Sequence, residues 1–398
     1  MPPLRLLLFN LMTDESDPVL GFACEWIRRL APECESVDVL TMYRGDFDTP
    51  SNTRVYSAGR ERGWSRARRL ANFYRHLLRL LAANQYDVCF AHMMPLFAGL
   101  AGPLLRARGI RTVLWYTHRQ RSAQLRLGLN MSWRAVSAHA TSFPYQTDKL
   151  RVIGHGIDTE FYAPYPHPKS HSPSQWRASQ DEGGTSAPAL EQRSPFPPGG
   201  MSAIEMAGEA RDGGELVVQV GRLAPIKHQA TAIEAVAATE ARLALIGGAQ
   251  TGGALAYERA LKALAARLDM RERCAFTGDL PAADVRAWFR QATVAVNMSP
   301  SGLFDKAALE SMACGAPTIV CNPAFKPLLG DCADLLLTAG PEDVAGLRDR
   351  LERLFALSDQ ERADIGARLR DGVARAHSLD SLIGRLLAVL RTGELPGI

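Results

Sequence analysis

The stretch LVVQVGRLAPIKHQATAIEAV occupies residues 216–236 and joins a short apolar run to a helical pattern. The run 216–220 has the length and composition of a strand that is buried on both faces of a parallel sheet. Gly221 permits a sharp exit from that strand, and Pro225 suits the approach to a helix. The stretch therefore predicts a strand–turn–helix unit of the kind that repeats in doubly wound α/β domains.

Two cations, Arg222 and Lys227, follow the predicted strand and precede the predicted helix. Doubly wound sheets bind ligands at the carboxyl ends of their strands, and the free amides of a helix start attract anions. An arginine can hold a phosphate through two hydrogen bonds, while a lysine acts as a mobile point charge. We therefore expect a diphosphate to bind beside Gly221, Arg222 and Lys227. The alternative is that both cations are simply solvated.

The same alternation of apolar runs and helical patterns extends along most of the chain. In the first half, strands are predicted at 4–9, 36–40, 54–56, 88–92, 112–116 and 140–142. In the second half, they are predicted at 216–220, 243–246, 274–277, 294–296, 318–320 and 334–337. Two such runs predict two doubly wound, Rossmann-like domains with parallel sheets.

The predicted domains are residues 1–163 and 214–377, and the amphipathic helix 378–391 is expected to pack back on the first of them. The stretch 164–213 is rich in Pro, Ser and Gly and lacks a hydrophobic period. We interpret it as a disordered linker or a surface insertion.

Composition excludes several classes of protein. The net charge of +4 over 398 residues is too small to imply nucleic-acid binding by itself. None of the seven cysteines forms a CxxC pair, and no apolar run reaches 18 residues, so a cytoplasmic protein without a membrane span is expected. No Cys/His cluster has metal-ligand spacing, and no GxGxxG follows the first strand. We therefore expect neither a metal nor a nicotinamide cofactor.

A second candidate segment, SPSGLFDKAALESMACGAPTIV, spans residues 299–320. It predicts a loop and then a helix, with Asp305 as a suitable N-cap. The first-turn amides, including those of Lys306 and Ala307, could hold phosphate oxygens. Glu310 could point to a cleft edge and accept two hydrogen bonds from a ribose diol, although a glutamate in mid-helix is often only solvated.

The two segments together resemble the family-four glycosyltransferases of GT-B fold. Gly221, Arg222 and Lys227 match the Gly-Arg…Lys motif of that family, and Glu310 matches the second Glu of its Glu-x7-Glu motif. The tail of the second motif is matched by Met312, Ala313, Gly315 and Pro317. Gly248 falls where the family has a glycine loop beside the donor.

The resemblance implies two Rossmann-like domains that face each other across a cleft. It also implies a retaining transfer from a UDP- or GDP-linked sugar, without a cofactor. The first Glu of the motif falls at Gly302, which has no side chain. A variant group of the family uses an Asp-Lys pair here. By that resemblance, Asp305 would contact sugar hydroxyls and Lys306 would assist the diphosphate.

Three residues of the first half are further candidates. Gly21 lies in the loop after the first strand, where a glycine could let backbone amides approach the departing phosphate. His92 and His118 each follow a predicted strand, and both are expected to open on the cleft. The alternative for either histidine is a structural role.

Arg60–Arg79 contains seven arginines and one glutamate around an apolar stripe. We expect the stripe to pack in the core and the arginines to contact anionic lipid at the inner face of a bacterial membrane. This fits a saccharide or lipid-linked acceptor in the synthesis of a cell-surface polysaccharide or glycolipid. A nucleotide-sugar epimerase, a phosphorylase of the same fold, and a weakly active scaffold in a membrane complex are the alternatives.

Overall fold

The structure is a computed structural model, and it describes residues 2–17, 20–164, 214–249 and 252–396. The predicted linker or insertion at 164–213 lies outside the described residues, except for Pro164. These residues form two lobes, each built on one parallel sheet.

The first lobe has a seven-stranded sheet with the strand order β3-β2-β1-β4-β5-β6-β7. Its strands are β1 (Leu4–Thr13), β2 (Cys34–Arg44), β3 (Thr53–Ser57), β4 (Val88–His92), β5 (Arg111–Trp115), β6 (Arg134–Ser137) and β7 (Leu150–Val152). Its helices are α1 (Phe22–Leu30), α2 (Arg66–Ala83), α3 (Pro95–Ala107) and α4 (Ala123–Met131). Separate apolar clusters cover the two faces of the sheet, because its strands are buried on both sides.

The second lobe has a five-stranded sheet with the order β10-β9-β8-β11-β12. Its strands are β8 (Leu216–Val220), β9 (Arg242–Ile246), β10 (Cys274–Gly278), β11 (Val294–Asn297) and β12 (Thr318–Val320). Its helices are α5 (Gln229–Ala237), α6 (Gly252–Arg267), α7 (Ala282–Gln291), α8 (Lys306–Ala313), α9 (Lys326–Leu329), α10 (Ala333–Leu336), α11 (Val344–Phe355) and α12 (Asp359–His377). All strand pairs in both sheets are parallel, which confirms the prediction of two doubly wound sheets.

The last helix, α13 (Leu379–Thr392), packs on the first lobe although it follows the second. Its buried face, which includes Leu382 and Leu386, belongs to the same apolar cluster as Leu6 and Phe90. The chain therefore crosses between the lobes twice. The two crossings pair with each other, since the amide of Ile157 donates to the carbonyl of His377 and the amide of Leu379 donates to the carbonyl of Ile157, each at 2.8 Å.

Two predicted strands are wrong. Residues 140–142 form a 3-10 turn, because the ring of His139 accepts a hydrogen bond from the amide of Thr141 and caps it. The strand that pairs with β5 is β6 instead. Neither β6 nor β7 is among the strands predicted from the sequence. Residues 334–337 are mostly helix α10, and Leu337 alone bridges to Val320. A short apolar run does not distinguish a strand from a buried helical turn.

Candidate functional site

A cleft of about 930 Å³ lies between the two lobes. The first lobe contributes the loop after β1 and the start of α1, including Gly21 and Phe22. The second lobe contributes the carboxyl ends of β8, β9 and β10 and the first turns of α8. This is the edge at which open parallel sheets bind ligands.

The exits of β8 and β9 pack closely against each other. The amide of Gly221 donates to the carbonyl of Ile246 at 2.8 Å. Gly247 has φ +140°, and a Cβ at that position would lie 2.3 Å from the carbonyl oxygen of Gly221. Only glycine fits at position 247, so the cleft floor is bare backbone here. The side chain of Arg222, which lies next to this floor, is exposed and lines the cleft.

Lys227 ends the 3-10 turn Pro225–Lys227 that precedes α5. Its backbone is held by Gln219, whose side-chain amide donates to the carbonyl of Lys227 at 2.8 Å. Its ammonium group forms an ion pair with Asp305 and lies 3.2 Å from the hydroxyl of Ser299. The turn therefore directs Lys227 toward the loop before α8, on the far side of β8 from β9.

Asp305 is the N-cap of α8, as predicted for this residue type, and accepts from the amide of Ala307 at 3.4 Å. Its second oxygen accepts from Asn297 at 3.1 Å and Ser299 at 2.7 Å, in addition to Lys227. Burial alone would raise the pKa of Asp305, but the charge and hydrogen bond of Lys227, with those of Ser299 and Asn297, lower it to about 2. The carboxylate is therefore ionised at neutral pH.

Glu310 lies one turn into α8, with its side chain 10% exposed at the cleft wall. It forms an ion pair with Lys306 at 2.7 Å and a hydrogen bond with Tyr162 of the interlobe connection. Burial, followed by the charge and hydrogen bond of Glu310, raises the pKa of Tyr162. The ammonium group of Lys306 also lies 5.2 Å from the ring centre of Phe22 in the first lobe. Lys306 and Glu310 thus pair with each other where a ribose and a diphosphate are expected.

Three amides that are candidates for phosphate binding already have acceptors. Gly21 donates to the carbonyl of Asp17 at 3.0 Å, and Gly248 donates to the carboxylate of Asp279 at 2.7 Å. The amide of Ala307 is the one capped by Asp305. The structure therefore brings these residues to the cleft region but does not offer their amides as free donors.

His92 does not reach the cleft, so the expectation that it opens there is wrong. Its side chain is buried beneath Trp26, with the ring centres 4.9 Å apart. Its Nδ1 lies 3.1 Å from the side-chain oxygen of Asn10, and its Nε2 has no partner among the residues that the structure describes. Burial lowers the pKa of His92 to about 3, so the ring stays neutral. It is a core residue of the first lobe.

His118 lies in the loop after β5, near the cations of the second lobe. Partial desolvation, and then the charges of Arg222 and Lys227, lower the pKa of His118. The structure therefore places His118 near Arg222 and Lys227, and its role in the site stays a prediction.

Arg119 also lies between the lobes beside His118, and no pattern in the sequence predicts its contact with the second lobe. Its guanidinium donates to the carbonyl of Ser301 at 2.9 Å and so bridges the two lobes. Gly302, where the resemblance places a missing glutamate, has φ +91°, and a Cβ there would lie 2.2 Å from Cδ of Arg119. An arginine from the opposite lobe occupies the space that a side chain at 302 would need.

A second interlobe contact surrounds Phe304, the residue before Asp305. The rings of His139, His155 and His377 lie 5.2, 5.8 and 5.2 Å from it. His155 also approaches the carbonyl of Phe304 at 2.7 Å through Nε2. The loop 299–305 is therefore tied to the first lobe at Arg119 and to the interlobe crossings at this cluster.

The described residues contain neither a cluster of metal ligands nor a helix that could span a membrane. Across residues 2–17, 20–164, 214–249 and 252–396, no group of three or more His, Cys, Asp or Glu side chains could hold a metal ion. Over the same ranges, no helix combines the length and apolar character needed to cross a bilayer.

Comparisons with known proteins find a family similarity in the second lobe. Residues 214–356 match the family model described as glycosyl transferases group 1. A D-inositol 3-phosphate glycosyltransferase of Frankia alni is 32% identical over 152 residues, which are 36% of this chain and 37% of that protein. Another from Kribbella flavida is 31% identical over 133 residues, 31% of each. The chain thus spans about a third of the length of the curated relatives that it matches.

Solved structures extend the likeness to both lobes. Sucrose-phosphate synthase of Thermosynechococcus elongatus superposes with a TM-score of 0.68 at 18% identity, covering 98% of this chain and 100% of that one. HepE of Anabaena, solved with UDP and glucose, superposes with a TM-score of 0.69 at 17% identity, covering 98% and 100%. The fold is therefore the GT-B fold, with two Rossmann-like domains facing each other across a cleft.

Proposed function

We propose that this chain is a retaining glycosyltransferase that moves a sugar from a nucleoside diphosphate sugar to a hydroxyl acceptor. The observation that carries the proposal is the placement of Arg222 at the carboxyl end of β8, on the wall of the interlobe cleft, with Lys227 paired to the cleft residue Asp305. The match of residues 214–356 to glycosyl transferases group 1 supports it. The retention of configuration rests on the resemblance to family four.

The two cations fit the charge that develops in such a transfer. When the bond between the sugar and the diphosphate breaks, negative charge accumulates on the departing phosphate oxygens. Arg222 has no acidic partner within the described part of the chain, so its full charge is available to them. Fixed charges in a cleft stabilise this state without reorganising, and the proposed mechanism needs no metal ion.

In this proposal Asp305 acts on Lys227 and does not contact the sugar directly. One of its oxygens accepts three hydrogen bonds and the other caps α8. We therefore assign it to positioning Lys227 beside the diphosphate. His118, kept neutral by its surroundings, lies near the same cations and is the candidate to contact the acceptor or the donor sugar.

Helix α2 supports a membrane-bound acceptor. Arg66, Arg68 and Arg79 are exposed and have no acidic partner among the residues described, and Arg68 stacks on Trp64 at 4.1 Å. Leu70 and Leu78 on the same helix are 42% and 49% exposed. We propose that this helix lies on anionic lipid at the inner face of a bacterial membrane, where a saccharide acceptor on a lipid carrier would be presented.

Calorimetric titration with nucleoside diphosphates tests the binding site. The parent chain should bind at least one of GDP, UDP, ADP and CDP, and Arg222→Ala should weaken that binding by roughly 10-fold or more. Arg259→Ala, which removes an exposed arginine from α6 of the same lobe, is the matched control and should bind like the parent. Equal affinities for the parent and Arg222→Ala would reject the site.

Turnover of sugar nucleotides tests the reaction. A transferase should release nucleoside diphosphate faster when acceptor lipid extract is added, and a labelled sugar should appear in the lipid. An epimerase would convert the sugar nucleotide without acceptor, and a scaffold would do neither. Either of those results would replace the proposal.

A further inference from the structure

The order of the strands in the second sheet gives the direction in which a bound nucleotide would lie. The strands β10, β9 and β8 are neighbours, and adjacent strands lie roughly 4.8 Å apart. The carboxyl end of β10 is therefore roughly 10 Å from that of β8, where Arg222 stands. If the diphosphate binds at β8, as the proposed function requires, the nucleobase has room toward β10.

The cleft wall at β10 is mostly apolar and carries one carboxylate. Ile246, Leu280, Pro281 and Val285 line it beside Asp279. Asp279 has no cationic partner within the described ranges, so its charge faces the cleft without neutralisation. A negative group here disfavours a phosphate and favours a ligand with hydrogen-bond donors.

Asp279 is held in place by the loop that follows β9. One of its oxygens accepts from the amide of Gly248 at 2.7 Å. A Cβ at position 248 would lie 2.4 Å from the other oxygen, so glycine is needed for the carboxylate to seat there. Each carboxylate oxygen has two lone pairs, and the single bond to Gly248 leaves both oxygens able to accept from a ligand.

We propose that Asp279 selects guanine, so that the donor of this chain is a GDP-linked sugar. Guanine presents N1–H and the N2 amino group side by side, and a carboxylate can accept from both at once. Uracil presents a single N–H between two carbonyl oxygens, which a carboxylate repels. Adenine and cytosine each place a ring acceptor beside their amino group. Of the four bases, guanine alone offers two adjacent donors.

The inference rests on the proposed function, and a binding experiment on the full-length chain separates the two. GDP, UDP, ADP and CDP are titrated calorimetrically. GDP should bind at least 10-fold more tightly than the other three, since a good bidentate pair discriminates between bases by roughly 5- to 150-fold. Tight binding of UDP, ADP or CDP at the level of GDP would overturn the guanine assignment and leave the transferase proposal standing. No binding of any diphosphate would instead reject the proposed function.

The variant Asp279→Asn tests the residue itself. Asparagine keeps an oxygen for the amide of Gly248 but cannot accept two hydrogen bonds from guanine. GDP affinity should fall roughly 10-fold or more, while UDP affinity should change less than 3-fold. Asp284→Asn, an equal change of charge on an exposed first-turn residue of α7, should leave both affinities unchanged. A uniform loss for all four diphosphates would place Asp279 at the ribose or the loop and overturn the proposal.

Discussion

Lys227 and Asp305 form an ion pair whose side chains are 16% and 13% exposed, at the point where the first turn after β8 meets the N-cap of α8. The cation proposed to receive a diphosphate is thus already paired in the free protein. A phosphate would share Lys227 with Asp305 rather than meet a solvated ammonium group. Because a nearly buried ammonium group needs an anion beside it, Asp305 holds Lys227 in position before the ligand arrives.

Removal of this carboxylate should affect stability and transfer more than nucleotide binding. Asp305→Ala leaves Lys227 without an anion and α8 without its cap, so we expect the free energy of unfolding to fall by about 3 kcal/mol or more. The rate of sugar transfer should fall by a larger factor than the affinity for the diphosphate. Urea unfolding, calorimetry and initial rates measure the three quantities.

The matched control for Asp305→Ala is Ser299→Ala. It removes one of the hydrogen bonds to Asp305 and the hydrogen bond from Lys227, and it leaves the ion pair intact. Its cost in unfolding free energy should be about 1 kcal/mol. If the two variants lose equal stability, or if Asp305→Ala loses affinity and rate in proportion, Asp305 is a helix cap and does not position Lys227.

The contact between Arg119 and Gly302 predicts that the missing glutamate cannot simply be restored. At φ +91° any side chain strains the backbone by about 1–3 kcal/mol, and its Cβ would also meet Arg119. Gly302→Glu should therefore lower the thermal midpoint and should not raise the transfer rate. The double variant Gly302→Ala with Arg119→Ala should recover the part of the thermal midpoint that is lost to the steric clash. It should not recover the part that is lost to backbone strain.

Gly340→Ala is the control for these variants. Position 340 has open space around its Cβ and no positive φ, so alanine should be tolerated there without a measurable shift of the thermal midpoint. An increase in the transfer rate of Gly302→Glu over that of the parent would show that Arg119 moves away freely, and the bridge between the lobes would then have no part in shaping the site.

The sequence predicts those parts of the site that are local in the chain. Gly221, Arg222 and Lys227 follow one strand within seven residues, and strand ends of a parallel sheet always share an edge. Asp305 is predicted as a cap because its helix starts beside it. The bond between Lys227 and Asp305 joins residues 78 apart, and that between Arg119 and Ser301 joins residues 182 apart. Such pairs depend on how sheets and lobes assemble, which periodicity does not encode.

His92 shows the same limit in a different way. Its position after four strand residues predicts where the strand ends but not which side of the sheet the ring faces. Trp26 of α1 covers that side, and the packing of α1 is not evident from the sequence of β4. The strands at 140–142 and 334–337 are wrong for a related reason, since both runs are too short for their period to be determined.

The histidines around Phe304 predict a loss of stability in mild acid. Burial, reinforced by the charge of Lys306, outweighs the hydrogen bond to the carbonyl of Phe304 and lowers the pKa of His155 to about 4. In the unfolded chain, His155 therefore binds a proton below pH about 6.5. In the folded protein it binds that proton only below pH about 4. Stability should fall as the pH decreases through this window, by about 1–2 kcal/mol for His155 between pH 7 and 5.

His155→Gln tests this, because glutamine stays neutral and can still donate to the carbonyl of Phe304. The free energy of unfolding of the variant should depend less on pH between 7 and 5 than that of the parent. The pair Lys227–Asp305 adds no slope in this range, since the depressed pKa of Asp305 places its contribution between about pH 4 and 2. Identical pH profiles for the variant and the parent would show that His155 is not buried as a neutral ring.

The exposed arginines of α2 predict that membrane binding depends on charge. Each arginine near an anionic surface contributes about 1 kcal/mol, so replacing Arg66, Arg68 and Arg79 with glutamine should weaken partitioning onto phosphatidylglycerol vesicles by roughly 100-fold. Binding of the parent should also decrease as salt is raised and should be weak on phosphatidylcholine vesicles. The control replaces three exposed arginines of the second lobe, Arg259, Arg267 and Arg271, and should bind as the parent does. Sedimentation with vesicles measures all of these, and equal losses in the two triple variants would mean that net charge, and not this helix, directs the protein to the surface.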